Sequence, residues 1–343
     1  MNTAARILVV GPSWVGDMVM AQALFRRLRE NARDAIVDVL APGWSLPLLA
    51  RMPEVHEAVE LDVGHGELAI RKRRRLGIAL RGKGYDQAIV LPRSFKSALV
   101  PAFARIAKRT GFLGEYRYGL INDIRPFDRQ RLNQTVKRFV SLAAKDETLA
   151  DIPRPELIVY RDRVRQLREQ FGLAPDGRHV VLAPGAEYGP AKRWPAQYFA
   201  EVAKRCAAND FDVLIIGSAK EAAIGADIEA QAASTGIANL CGRTELADAI
   251  DLLGSARAAI CNDSGLMHVA AAAGAPLVAL YGSSSPDFTP PLSPHARVLY
   301  RSLECSPCFR RECPLGHLDC LRGIEPDQVI SELDALLAQF TAA

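Results

Sequence analysis

The stretch "AICNDSGLMHVAAAAGAPLVALYG", residues 259–282, decides the fold of this chain. An apolar run ends at Cys261, a polar turn follows through Asn262, Asp263 and Ser264, and Gly265 opens an alanine-rich segment with helical spacing. A second apolar, β-rich run begins at Pro276. Strand, turn, helix and strand in that order form one unit of a parallel sheet. The free N–H groups at such a helix start, with the positive end of its dipole, suit a diphosphate. Asp263 and Ser264 read either as helix caps or as parts of that anion site. His268, one turn in, reads as a structural histidine or as a charge-assisted donor to phosphate.

Working outward, the same alternation fills the chain. Apolar runs at 6–11, 35–41, 58–62 and 87–92 alternate with helical spacing at 16–30, 65–82 and 95–107. Runs at 179–185, 211–218, 237–242, 258–265 and 276–282 repeat the pattern with helices at 195–208, 219–234 and 264–273. Apolar strands separated by helices imply parallel sheets covered on both faces. A polar, proline-bearing stretch at 145–163 separates the two series. The expected fold is therefore α/β, with two Rossmann-like domains facing across a cleft. Residues 1–165 and 166–324 would form the domains, and 325–343 a C-terminal amphipathic helix whose docking stays open. Ligands should bind beyond the carboxyl ends of the strands.

Composition narrows the function. A chain of 343 residues exceeds one usual domain, and 49% hydrophobic with 24% charged residues fits a packed core. The formal charge of +4 is too small to announce nucleic acid but suits an anionic substrate. No apolar stretch reaches a membrane span, and Asp17 interrupts what would otherwise pass for a secretory signal. Seven cysteines, three of them (Cys206, Cys241, Cys261) single within apolar segments, point to a reduced, cytosolic setting. There is neither GxGxxG after the first strand nor GxxxxGK[ST], which argues against a dehydrogenase or a P-loop enzyme. The pair Asp210 and Asp212 precedes its strand, at the wrong end of the sheet for a metal–diphosphate site.

Other stretches carry candidate chemistry. In "GPSWVGDMVMAQALFRRL" (11–28) a carboxylate, Asp17, stands where a buried strand gives way to an apolar helix, as a cap or as a catalytic group. "APGAEYGPAKRWP" (183–195) places Lys192 and Arg193 near a strand's carboxyl end, with Pro195 at a helix start. Glu221 would grip ribose hydroxyls or lie exposed on a helix. "RKRRR" (71–75) reads as a solvated helix face, or as a guide for a phosphorylated acceptor or anionic membrane. "LPRSFKSAL" (91–99) puts Arg93 and Lys96 after a strand. Cys305, Cys308, Cys313 and Cys320, with His317 nearby, admit a tetrahedral zinc site, although their later spacings do not repeat the C-x2-C pair.

Together these motifs, with "GFLGEYRYGLIND" (111–123) and "CSPCFRRECPLGHLDC" (305–320), resemble the ADP-heptose:lipopolysaccharide heptosyltransferases, glycosyltransferase family 9. The similarity covers nearly the whole chain and is strongest to the type II branch. It implies a GT-B glycosyltransferase that needs no metal or other cofactor, with zinc at the cysteines the alternative. It implies ADP-heptose as donor, heptosyl-Kdo2-lipid A as acceptor, and inversion at the transferred carbon. The resemblance makes Asp17 the catalytic base and Lys192 the catalytic lysine that contacts phosphate. Donor contacts would come from Ser13, Gly16, Glu187, Lys192, Glu221, Asp263, Ser264, Gly265 and His268, and acceptor contacts from Arg93, Lys96 and Arg117. Ser264 stands where some relatives have threonine and keeps the hydroxyl. The enzyme would sit in the cytoplasm, peripheral at the inner face of the inner membrane. Oligomeric state is left undetermined. Alternatives are a type I or III heptosyltransferase, another GT-B nucleotide-sugar enzyme such as an epimerase, or a nucleotide-binding regulatory protein without chemistry.

Overall fold

The structure, a computed structural model, describes residues 4–64, 66–175 and 177–341. It divides into two compact units, Met1–Pro155 and Glu156–Ala343. In the first, strands β1 (Arg6–Val10), β2 (Ile36–Ala41), β3 (Val55–Glu60), β4 (Gln87–Val90), β5 (Lys108–Phe112) and β6 (Asp123–Arg125) pair in the order β3-β2-β1-β4-β5-β6. In the second, β7 (His179–Ala183), β8 (Asp212–Ile215), β9 (Ile237–Asn239), β10 (Ala258–Asn262), β11 (Leu277–Tyr281) and β12 (Ala296–Tyr300) run β12-β11-β10-β7-β8-β9. Every pairing is parallel, and each unit repeats the Rossmann strand order. The order reverses between β1 and β4 in one unit and between β7 and β10 in the other. Those two reversal points, at the carboxyl edges, are where a ligand crevice belongs.

Sequence explains the central strands directly. β7, β10 and β11 are buried along their whole length, so continuous apolar runs are what both faces require. The units keep separate cores: Leu8, Val10, Leu40, Ala88 and Val90 belong to the first, and Val180, Leu182, Ile260, Val278 and Leu280 to the second. The division at Pro155 falls inside the stretch 145–163. A boundary at 165 would cut the helix Arg161–Gln170, whose Val164 and Leu167 are buried.

The C-terminal helix, Pro326–Thr341, docks on the second unit. Val329, Leu333 and Leu336 recur at helical spacing and enter the same core as Val180 and Ile260. Its expected last residues, 342 and 343, lie outside the described residues, as does His65, at which the helix expected over 65–82 would begin. That helix runs Ile70–Leu80, because Ala69 takes a left-handed conformation (φ 41°) just ahead of it. The segment expected as a helix over 95–107 is a 3-10 turn, Phe95–Ala98, followed by the short helix Leu99–Phe103.

Candidate functional site

In the first unit, β1 hands over to the helix Val15–Asn31 at the reversal point. Trp14 occupies the N-cap position, with φ −112° and ψ 141° and no side-chain capping bond. Asp17 is therefore not the cap residue. It is half-buried in the first turn, where the helix dipole favours a carboxylate. Ser13 is exposed in the preceding loop, and Gly16 is buried inside the helix.

The neighbouring carboxyl-edge loops hold the three basic candidates. Arg93 is exposed, with its guanidinium 4.6 Å from the Phe127 ring centre and one N–H donated to the Leu113 carbonyl at 3.2 Å. Lys96 is half-buried in the turn that follows. Arg117 departs from its expected role. It is wholly buried and donates to the carbonyls of Phe112 (2.6 Å), Pro92 (2.7 Å) and Ser94 (3.1 Å) and to Ser97 Oγ (3.0 Å). Burial, reinforced by the nearby Arg93 charge, lowers its pKa to about 10. With both terminal nitrogens so engaged, and only Nε left without a partner among the described residues, Arg117 braces the loops after β4 and β5 instead of presenting a cation to an acceptor. The residues this loop does present are Tyr116 and Tyr118, 90% and 65% exposed. Glu115 and Tyr116 both adopt left-handed backbone (φ 46° and 52°), a strained arrangement for non-glycine residues.

The second unit builds a denser site at its own reversal point. Ser264 is the N-cap of the helix Gly265–Ala272, with φ −146°, yet it makes no capping bond, and its buried Oγ has no hydrogen-bond partner among the described residues. Asp263, 4% exposed, instead accepts from Lys192 Nζ at 2.5 Å and from the Ser284 hydroxyl. Lys192 ends the 3-10 turn Pro190–Lys192 in the loop after β7, so its pair with Asp263 spans the two strands that flank the reversal. His268 is buried against the same pair. Desolvation lowers its pKa to about 4, with Lys192 acting in the same direction and Asp263 against it. The imidazole is thus neutral near pH 7, and its N–H can still donate a charge-assisted hydrogen bond to an ionised phosphate.

Glu221 is not an exposed helix residue. It is buried, and its Oε2 accepts from the Ser218 N–H (2.7 Å) and hydroxyl (3.0 Å), forming a reciprocal cap after β8. Its carboxylate rests on Gly185, where a Cβ would come within 1.9 Å of Oε1. That close approach is why glycine stands there. Glu187, exposed, pairs with Lys220 at 2.6 Å across the same loops.

The sequence reading names Asn262 only as part of the polar turn and misses what its side chain does. Asn262 is fully buried; its Oδ1 accepts from the Trp194 N–H (3.1 Å) and its Nδ2 donates to the Pro184 carbonyl (2.7 Å). It ties the Lys192 loop to the start of the Gly265 helix from both ends. A buried asparagine at a strand's last position was the available signal, because it must find partners beyond the ladder.

The cysteine segment packs on this loop. Tyr188 Oη donates to the Phe309 carbonyl (2.7 Å), the Ala191 N–H to Arg311 (3.0 Å) and the Phe309 N–H to Ser283 (2.7 Å). All four thiols are free, and they do not form a group with ligand atoms mutually within 4.8 Å. Backbone N–H groups, that of Leu318 foremost, lower the Cys313 pKa, while burial raises that of Cys320. Among the described residues the group that meets such a spacing is Asp38, His56 and Glu57. There Asp38 already accepts from Arg6, Tyr85 and His56, and Glu57 is paired with Lys83, so cations of the chain fill the place of a metal. Asp212 begins β8 and pairs with Arg168 at 2.5 Å, at the amino end of the sheet.

Comparison with known proteins bears on this arrangement. Residues 73–319 match the model of glycosyltransferase family 9 (heptosyltransferase). Lipopolysaccharide heptosyltransferase 2 of Escherichia coli K12 is 47% identical, over 97% of this chain and 99% of its own length. Lipooligosaccharide heptosyltransferase 2 of Haemophilus ducreyi is 42% identical with the same coverage. The solved structure of the Escherichia coli ADP-heptose heptosyltransferase II superposes with a TM-score of 0.87 at 45% identity, covering 98% of this chain and 99% of that one.

Proposed function

The chain belongs to glycosyltransferase family 9, the heptosyltransferases, and on that premise we propose that it is a heptosyltransferase of type II. It moves L-glycero-D-manno-heptose from ADP-heptose to the heptosyl-Kdo2-lipid A inner core. The observation that carries this reading is the Lys192–Asp263 pair, 2.5 Å long, set at the start of the Gly265–Ala272 helix on the strand reversal of the second unit. The Lys192 ammonium, the free helix N–H groups and the unpartnered Ser264 hydroxyl all belong to the strand reversal, where a diphosphate would lie.

The chemistry follows from these groups. The acceptor hydroxyl attacks the anomeric carbon opposite the diphosphate; the new C–O bond forms as the bond to the β-phosphate oxygen breaks. Asp17, in the first unit, takes the hydroxyl proton. ADP leaves carrying the bond's electron pair, and the β-linked donor yields an α linkage. Lys192, drawn from Asp263 to the leaving oxygens, and the helix start neutralise the developing charge without a metal. Neutral His268 contributes a hydrogen bond, not a charge. Glu221 faces the nucleoside ribose from the loop after β8, and Arg93 and Lys96 serve the acceptor.

No described helix is long and apolar enough to cross a membrane. The lipid-borne nature of the proposed acceptor is what supports peripheral association with the inner face of the inner membrane. The test is direct. The protein is incubated with ADP-heptose and a series of truncated core acceptors, and products are identified by mass spectrometry. Addition of one heptose to the heptosyl-Kdo2 acceptor is expected. Transfer to the Kdo2 acceptor alone, or no transfer at all, would overturn the assignment.

A further inference from the structure

The helix Ile70–Leu80 turns its cations outward in an unusual company. Its buried residues, Arg73, Gly77 and Leu80, share one side. There a Cβ on Gly77 would lie 2.5 Å from the Phe103 Cβ and 2.8 Å from the Val100 carbonyl oxygen, so the helix rests directly on the helix Leu99–Phe103. Arg73 adds a second anchor, donating from Nε to Leu68 (2.8 Å) and from Nη2 to Glu67 (3.3 Å), which fixes the approach loop. Both contacts anchor the helix by that side.

The opposite side is what this anchoring presents. At 100° per residue, Arg71, Arg74, Arg75 and Ile78 fall within an arc of about 100°. Ile78 is 40% exposed in the middle of the three arginines, while Ile70 (48%), the first residue of the helix, lies about 80° round from it, outside that arc. Lys72 is paired with Asp62 at 3.0 Å, whereas Arg71, Arg74 and Arg75 form no ion pair among the described residues. The other acid of the approach, Glu67, accepts from the Gly64 N–H.

A pocket for one phosphate would converge its guanidinium groups, whereas this convex helix spreads three arginines, without ion pairs among the described residues, around an exposed isoleucine. Apolar side chains flanked by cations match a helix lying in a lipid headgroup layer. We propose that this face docks on an anionic lipid bilayer, with Ile78 entering the headgroup region and Arg71, Arg74 and Arg75 meeting lipid phosphates. The loop ahead of the helix leaves the carboxyl end of β3, so docking lays the bilayer beside the sheet edge that bears Asp17. The biological sense of this surface rests on the proposed lipid-linked acceptor, but its detection does not.

The test uses the full chain, sedimented with phosphatidylcholine vesicles with or without phosphatidylglycerol. Each arginine near an anionic surface is worth about 1 kcal/mol, or about fivefold. The triple variant R71Q/R74Q/R75Q should therefore bind phosphatidylglycerol vesicles about 100-fold more weakly, and I78S should also bind more weakly. Unaltered thermal melting controls for folding. Turnover of the triple variant on a deacylated, water-soluble acceptor should stay at the wild-type value. Wild-type binding by the triple variant, or equal wild-type binding to neutral and anionic vesicles, would overturn the proposal. So would loss of turnover on the soluble acceptor, which would make the acceptor itself the occupant. Vesicle binding as expected in a chain that transfers no heptose would uphold the docking surface and sink the proposed function alone.

Discussion

Gly185→Ala isolates the contact on which the nucleoside end of the site depends. The new Cβ would stand 1.9 Å from Glu221 Oε1 and 2.2 Å from its Cδ, so the carboxylate has to withdraw. It cannot withdraw while keeping the Ser218 N–H and hydroxyl, at 2.7 and 3.0 Å. Hydrogen bonds to a charged group contribute about 1.5–3 kcal/mol each, and partial rehydration recovers some of that, leaving a destabilisation of about 2–4 kcal/mol. In a Glu221→Ala background the obstructing carboxylate is gone, and the same glycine change should cost under about 1 kcal/mol. A double-mutant cycle in urea, read on the transition of the second unit, should thus give a coupling of about 2 kcal/mol. Isothermal titration with ADP should show Gly185→Ala weakened about 10- to 100-fold, as far as Glu221→Ala alone. Equal destabilisation by Gly185→Ala in both backgrounds would refute the reasoning, because the collision would then not be with Glu221.

Two further changes probe parts of the site that the fold has reassigned. Arg117→Ala strips a buried guanidinium from three carbonyls and a hydroxyl, and should cost the first unit about 3–5 kcal/mol in urea unfolding; a loss under about 1 kcal/mol would contradict a bracing role. His268 and His179, both with pKa values lowered to about 4, resist protonation in the fold while the unfolded chain binds protons from pH 6.5 downward. Their contribution to stability is therefore complete above about pH 6.5 and lost as pH falls toward 4, by about 2 kcal/mol for each imidazole at pH 5. Comparing urea midpoints at pH 7 and 5, His268→Gln should shrink the difference by about half; an unchanged difference would show that His268 takes up its proton in the fold.

The legible part of the molecule was its buried centre. Strands β7, β10 and β11 are almost wholly apolar because both faces are covered, and the polar turn at 262–265 marks a helix start in the sequence alone. The edges were illegible for the same physical reason. β5 opens on Lys108 and Arg109, β6 has only three residues, and β12 exposes Arg297 and Val298, so none makes a continuous apolar run. Among site residues, Lys192 and Asp263 were read at the correct sheet edge, and the structure adds that they pair. Arg117 and His268 show the limit of residue type as a guide. Arg117 reads as an acceptor contact and His268 as structural or as a donor to phosphate, and burial surrounds the first with carbonyls and leaves the second uncharged near pH 7. Sequence supplies a side chain's chemistry, but only packing tells which way it has been spent.

The account stands most directly on Asp17→Asn, which keeps the shape of the side chain and removes its basicity. ADP-heptose affinity and the rate of heptose transfer are measured on the same preparation. The proposed donor-gripping groups Lys192, Glu221 and Asp263 belong to the second unit, so affinity should stay within about twofold. The transfer rate should fall about 10²- to 10⁴-fold, the loss expected for a general base. A transfer rate within about threefold of the unaltered protein would contradict the role given to Asp17 and the mechanism built on it.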